Sequence, residues 1–200
     1  MAFFMLACLK QNHNPLASLD RFACLSLICL LLPGLAHAKG FSIQSVETRL
    51  QDQVYLLDTR LDLAFSDEAK KALQSGIPII ILLDIEVEQL RSWWWNKTIN
   101  RLQQGYLLLY HGLTEKYIMN NLDSGTQGDY TSLGACLSAM SRINRLPLID
   151  ATRLEKDKLY QLRLKVYLDI ESLPAPMRPL AYISSDWQLA SDWYIWPLQR

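Results

Sequence analysis

Histidine and cysteine are scarce in this chain, and their scarcity narrows the chemistry first. Three histidines and four cysteines occur in 200 residues. All but His111 and Cys136 fall before residue 39. One histidine without partners is a poor zinc ligand or general base, and a structural role is expected for it. One cysteine makes no intramolecular disulfide, and Cys136 reads as a small buried hydrophobe. The eight glycines are scattered, so no phosphate-cradling glycine loop is present. A G-x-S-x-G nucleophile elbow is also missing, and a serine nucleophile would have only His111 as its base. Twenty basic and twenty acidic side chains cancel. That balance lacks the basic excess of nucleic-acid binders and gives no ground for expecting an anionic membrane surface as partner.

Long apolar runs are missing too. The strongest one spans Phe22 to Leu32, well short of the roughly 18–20 residues that cross a bilayer. Lys10 and Arg21 precede it, and Pro33, Gly34 and Ala36-His37-Ala38 follow. A basic region, a short apolar core and an A-x-A site read as a secretory signal peptide over residues 1–38, cut between Ala38 and Lys39. The expected location is the periplasm. Residues 39–200 then form a single domain with no stable transmembrane segment.

What remains is rich in alternation. Phe41 to Thr48 reads as a strand whose pattern slips at Ser45-Val46, the mark of a bulge. Val54 to Phe65 alternates, with Leu57, Thr59, Leu61, Leu63 and Phe65 on one face. Ser66 can cap a short helix over about 67–75, which Gly76 ends in a left-handed conformation. In Ile79 to Glu88 the odd positions are all apolar. The even positions run Ile80, Leu82, Asp84, Glu86, Glu88, so the acids should form a solvated face. YLLLY at 106–110 reads as an interior strand, and His111-Gly112 as a turn to a strand at Thr114–Asn120. Apolar spacing from Tyr130 to Ile143 predicts a second helix over about 130–144. Leu146 to Arg153 reads as a loop or short edge segment. Leu159 to Ile170 alternates most cleanly, and its polar face carries Arg163 and Lys165. These two can pair across a sheet with Asp84 and Glu86, which predicts that the two strands are neighbours. Leu173 to Pro179 should be an extended proline-rich break, and Ser184 to Pro197 a final strand. The expected fold is mainly β (α+β): an antiparallel, sandwich-like domain with two short helices.

Trp93-Trp94-Trp95 is the most unusual stretch. Consecutive strand residues point to opposite faces, so three tryptophans in a row cannot all enter one core. Two readings stay open: packing beneath a loop or helix, or a contact surface with Arg91 or Lys97 stacked on indole. Trp193 and Trp196 would join the cluster if the last strand lies near the central one.

Several residues in this order resemble one family. Gly76-Ile77-Pro78 opens a strand, followed by Glu86 with Arg91, Trp93–Trp95, Tyr110-His111 with Leu113 and Tyr117, Leu173-Pro174, and Trp187, Ser191 and Trp193. Together they resemble the DUF4390 family of exported proteobacterial proteins of unknown function, over essentially the whole stretch after the signal. The resemblance carries no catalytic residue. It implies a role at the cell envelope, with a sensor kinase as one class of partner.

The functional expectation is a non-catalytic binding module. Arg91, Trp93, Trp94, Trp95, Trp193 and Trp196 would present an aromatic surface to a protein or other envelope partner. No nucleic acid, cofactor or metal is expected, since no histidine or cysteine accompanies the alternating acids. The alternative is a periplasmic hydrolase using the carboxylates of Asp84, Glu86 and Glu88.

Overall fold

The alternating patterns resolve into two antiparallel sheets that share one core. The computed structural model describes residues 40–93 and 95–198. The expected signal segment and its cleavage site lie outside the described residues, as does Trp94. In chain order come β1 (Phe41–Gln51), β2 (Val54–Leu63), α1 (Asp67–Gln74), β3 (Ile79–Gln89), β4 (Lys97–His111), β5 (Lys116–Asn121) and β6 (Gln127–Tyr130). Then follow α2 (Leu133–Met140), β7 (Arg142–Asp150), β8 (Tyr160–Leu168), α3 (Arg178–Ile183) and β9 (Tyr194–Pro197). The smaller sheet has the order β1-β2-β7 and the larger β6-β5-β4-β3-β8-β9. The inner faces of β2, β3 and β8 supply Tyr55, Leu57, Ile79, Ile81, Leu83, Ile85, Leu162 and Leu164, all fully buried in one cluster.

Local chemistry explains the connections. The β1–β2 turn places Asp52 and Gln53 at φ 49° and 65°, the paired left-handed geometry that matches hairpin twist. The register of β1 shifts between Ile43 and Ser45, so the bulge lies beside the predicted slip. Ser66 caps α1 by accepting from the Ala69 N–H at 3.1 Å, and its hydroxyl donates to the Asp186 carbonyl at 2.7 Å. One buried side chain thereby starts a helix and ties it to a segment 120 residues away. Gly76 ends the turn at φ 85°. Gly105 is needed for close approach: a Cβ there would lie 3.1 Å from a Leu122 methyl.

Four sequence expectations are corrected. The second helix runs Leu133–Met140 instead of 130–144, and its cap is Ser132, which accepts from Ala135 N–H at 3.2 Å. Residues 127–130 pair with β5, and residues from 142 pair with β2 as a full strand. Their apolar spacing suits a helix, but β5 and β2 offer open backbone edges, and pairing satisfies those. The proline-rich break leads into a third helix, α3, with Pro179 in the first turn, where a missing N–H costs nothing. The last strand shortens to Tyr194–Pro197. Before it, the Ser191 hydroxyl accepts from Val166 N–H at 3.1 Å, so a side chain stands in for the ladder. Trp187 and Leu189 are buried there outside any strand.

Two outcomes follow. Ser66→Ala removes a cap and a buried tie together, and should lower unfolding free energy by about 1–3 kcal/mol in urea titration. Cys136 is fully buried, and burial pushes its thiol up to about 11. Peptide mapping after iodoacetamide treatment should therefore find Cys136 alkylated only in denaturant.

Candidate functional site

The site grows from the outer face of β3. That strand pairs with β8 in the register Asp84↔Lys165 and Glu86↔Arg163, as the charge pattern predicted. On its other side β4 places Gln103 opposite Asp84 and Arg101 opposite Glu86. The acids are less wet than expected. Glu86 and Glu88 are only 6% and 5% exposed, so the later half of β3 is covered on both faces, and its beginning is the more open part. The reason is crowding by partners. Arg163 lies 2.8 Å from Glu88 and 3.5 Å from Glu86, Arg101 bonds Glu86, and Gln161 and Asn96 both donate to Glu88. The Trp193 ring then covers Arg163, with the guanidinium carbon 4.4 Å from its centroid and the Lys165 ammonium at 5.9 Å.

The partners hold the charge of Glu88 in place. Burial acts to raise the carboxyl of Glu88, but the hydrogen bonds from Arg163, Gln161 and Asn96 outweigh it and hold it below the ordinary range. A general acid needs the opposite shift. His111 stands at the far end of β4, ten residues beyond Arg101, so about 30 Å of strand separates it from these carboxylates. Its Nδ1 meets the Thr114 hydroxyl at 3.0 Å. Among the described residues, no three His, Cys, Asp or Glu side chains converge on a metal-sized site.

Beyond Gln89 the ladder stops. Gln89 pairs with Lys97, and residues 90–96 form the loop between β3 and β4. The loop root is fastened twice: Leu90 N–H donates to the Leu159 carbonyl at 2.9 Å, and Asn96 reaches back to Glu88 at 3.2 Å. Past that root two described indoles stand clear of the protein. Trp93 is 91% exposed and Trp95 95% exposed. Packing beneath a loop is thus overturned for both, because they occupy the loop's own tip. Arg91 is exposed beside them. Leu159, in the segment leading into β8, is 73% exposed. An open groove of about 900 Å³ runs between Arg91, Trp93 and Lys97 on one side and Asp157, Lys158 and Leu159 on the other.

The terminal tryptophans sit elsewhere. β9 pairs with β8, which separates it from β3. Trp196 lies opposite Leu162 and packs half-buried against the core. Trp193 lies on the ion-pair ladder. Of the six residues assigned to an aromatic surface, Arg91, Trp93 and Trp95 share the tip, Trp193 and Trp196 do not, and Trp94 lies outside the described residues. The sequence reading missed Leu159 as a neighbour of the tip and Arg101, Gln161 and Asn96 as partners of the glutamates. The register of β4 and β8 reveals Arg101 and Gln161, and the loop bonds reveal Asn96 and Leu159.

These elements define a mainly β domain of two antiparallel sheets. The family model described as "Domain of unknown function (DUF4390)" matches residues 38–197. The chain belongs to that family. No curated protein and no solved structure matches it.

The ladder sets a sign for acid stability. A carboxyl depressed in the fold contributes stability above its unfolded value and loses it as pH falls through the folded value. Glu88 belongs to this case. From about pH 6 to about pH 3, the natural chain should lose more unfolding free energy than Glu88→Gln, by urea titration at each pH. Arg163→Met, which takes the cation from Glu88 and one of two from Glu86, should cost on the order of 2–3 kcal/mol near neutral pH, below the range for fully buried pairs because Arg163 stays partly wet and Arg101, Gln161 and Asn96 remain.

Proposed function

We propose that this protein is an exported, non-catalytic docking module of the cell envelope, and that the β3–β4 loop is its contact surface. The observation that carries the reading is the exposure of Trp93 and Trp95 at 91% and 95%. Indole is costly to leave in water, and neither ring contributes to the core. Their support is anchored: the loop springs from β3, which is buried to its last residue, and its root is fastened at Leu159 and Glu88. A surface that is expensive to expose yet firmly held suits contact with something outside the chain. The periplasmic setting rests on the N-terminal pattern of Lys10, Arg21, the apolar run and Ala36-His37-Ala38. Among the described residues no helix is long and apolar enough to cross a membrane. The carboxylate chemistry of a hydrolase finds no support in Glu88, which is held ionised by its partners.

The test is fractionation. The natural chain should remain with washed envelope membranes, and a variant with Trp93, Trp94 and Trp95 changed to alanine should be released. The variant's far-ultraviolet dichroism and urea midpoint should match the natural chain, since the described indoles lie outside the core. Equal retention of the folded variant would refute the assignment of this surface.

A further inference from the structure

We propose that the partner of this surface is the headgroup layer of a lipid bilayer, an inference that rests on the docking reading above. Three separate connections bring their exposed apolar side chains to the same end of the domain. Trp93, Trp95 and Leu90 come from the β3–β4 loop, Leu159 from the segment before β8, and Leu50 from the end of β1. Leu50 pairs with Tyr55, and Tyr55, Leu90 and Leu159 together line a second groove, of about 600 Å³. The backbone bond from Leu90 to Leu159 joins the loops.

The shape of this end decides between partner classes. Energetic centres of protein interfaces are packed, water-excluded pockets ringed by neutral contacts. Here the indoles project past the last ladder pair and the grooves beside them are open. Protruding rings suit a soft layer that closes around them. Tryptophan, with an apolar body and one N–H, is enriched where hydrocarbon meets headgroups.

The charges agree. The whole chain is neutral, but the residues lining the two grooves include Arg91, Lys97, Lys156 and Lys158 against Glu155 and Asp157. All four cations are exposed, and among the described residues none is in an ion pair. Long cationic side chains can lay their stems along an apolar tip and reach outward to phosphate. Cations at such a surface strengthen binding to anionic lipid additively.

The experiment uses the full chain and protein-free vesicles of phosphatidylethanolamine and phosphatidylglycerol with brominated acyl chains. All six tryptophans lie at residue 93 or later, so emission reports only on this domain. Vesicles should shift the emission to the blue and quench part of it. Trp93→Ala/Trp94→Ala/Trp95→Ala should remove the quenched part. Lys156→Glu/Lys158→Glu should weaken partitioning by about tenfold or more on these vesicles, and less on all-phosphatidylcholine vesicles. Leu180→Ser/Ile183→Ser, which changes exposed residues of α3, should leave binding unchanged. If the alanine variant misfolds, the lysine pair still decides. Absence of quenching by protein-free vesicles, with tip-dependent retention by envelope membranes, would assign the surface to a protein partner: the lipid inference falls and the docking reading stands. Retention and quenching that ignore the tip substitutions would overturn both.

Discussion

The structure depends on how β3 is registered between β4 and β8. A side-chain period of two means that a slip of one residue exchanges the faces of the strand. Slipping β3 would drive Glu86 and Glu88 into the core and pull Ile81, Leu83, Ile85 and Val87 out of it. The ladder of Arg101, Glu86, Arg163, Glu88 and Gln161 opposes that slip from the outer face, while the apolar face opposes it from within. Buried ion pairs add little net stability on average, because desolvation offsets attraction. Their effect here is directional: a one-residue slip takes both glutamates away from their partners. Trp193 completes the arrangement by covering Arg163 and drying the pairs it makes.

That register also positions the tip. Glu88 is the last acid of the strand, and its bond to Asn96 turns the ion-pair ladder into a root for the β3–β4 loop. The loop is therefore fastened to the sheet at its root. Stability and contact are separated along one strand: the buried residues end at Gln89, and the exposed indoles begin at Trp93. A neutral composition conceals a local cationic excess, because Arg91, Lys97, Lys156 and Lys158 gather at one end only when the loops meet.

Much of the frame was legible in the sequence. The alternation of β2, β3 and β8 exposed their inner faces, Ser66 and Gly76 bounded the first helix, and the matched charges of Asp84, Glu86, Arg163 and Lys165 pointed to a strand neighbourhood. The misread segment was 127–150, where apolar residues at three- and four-residue spacing fit a helix as well as two short strands around one. Sheet edges decided between them, that of β5 next to the segment in sequence and that of β2 far before it, and periodicity does not see edges. The burial of Glu86 and Glu88 was hidden for the same reason, since Arg101, Gln161 and Asn96 become their partners only through pairing. The tryptophan run was visible at once, but strand geometry alone left both core and surface open to it. The end of the ladder at Gln89–Lys97 and their exposure settled Trp93 and Trp95 as surface.

The most direct measurement is hydroxyl-radical footprinting of the folded chain, read tryptophan by tryptophan in peptide maps with and without envelope membranes. In solution Trp93 and Trp95 should oxidise fast and Trp187 slowly. With membranes present, protection should appear at Trp93 and Trp95 and leave Trp187 unchanged. Slow oxidation of the tip in solution, or a tip that stays reactive on membranes that retain the chain, would contradict the account.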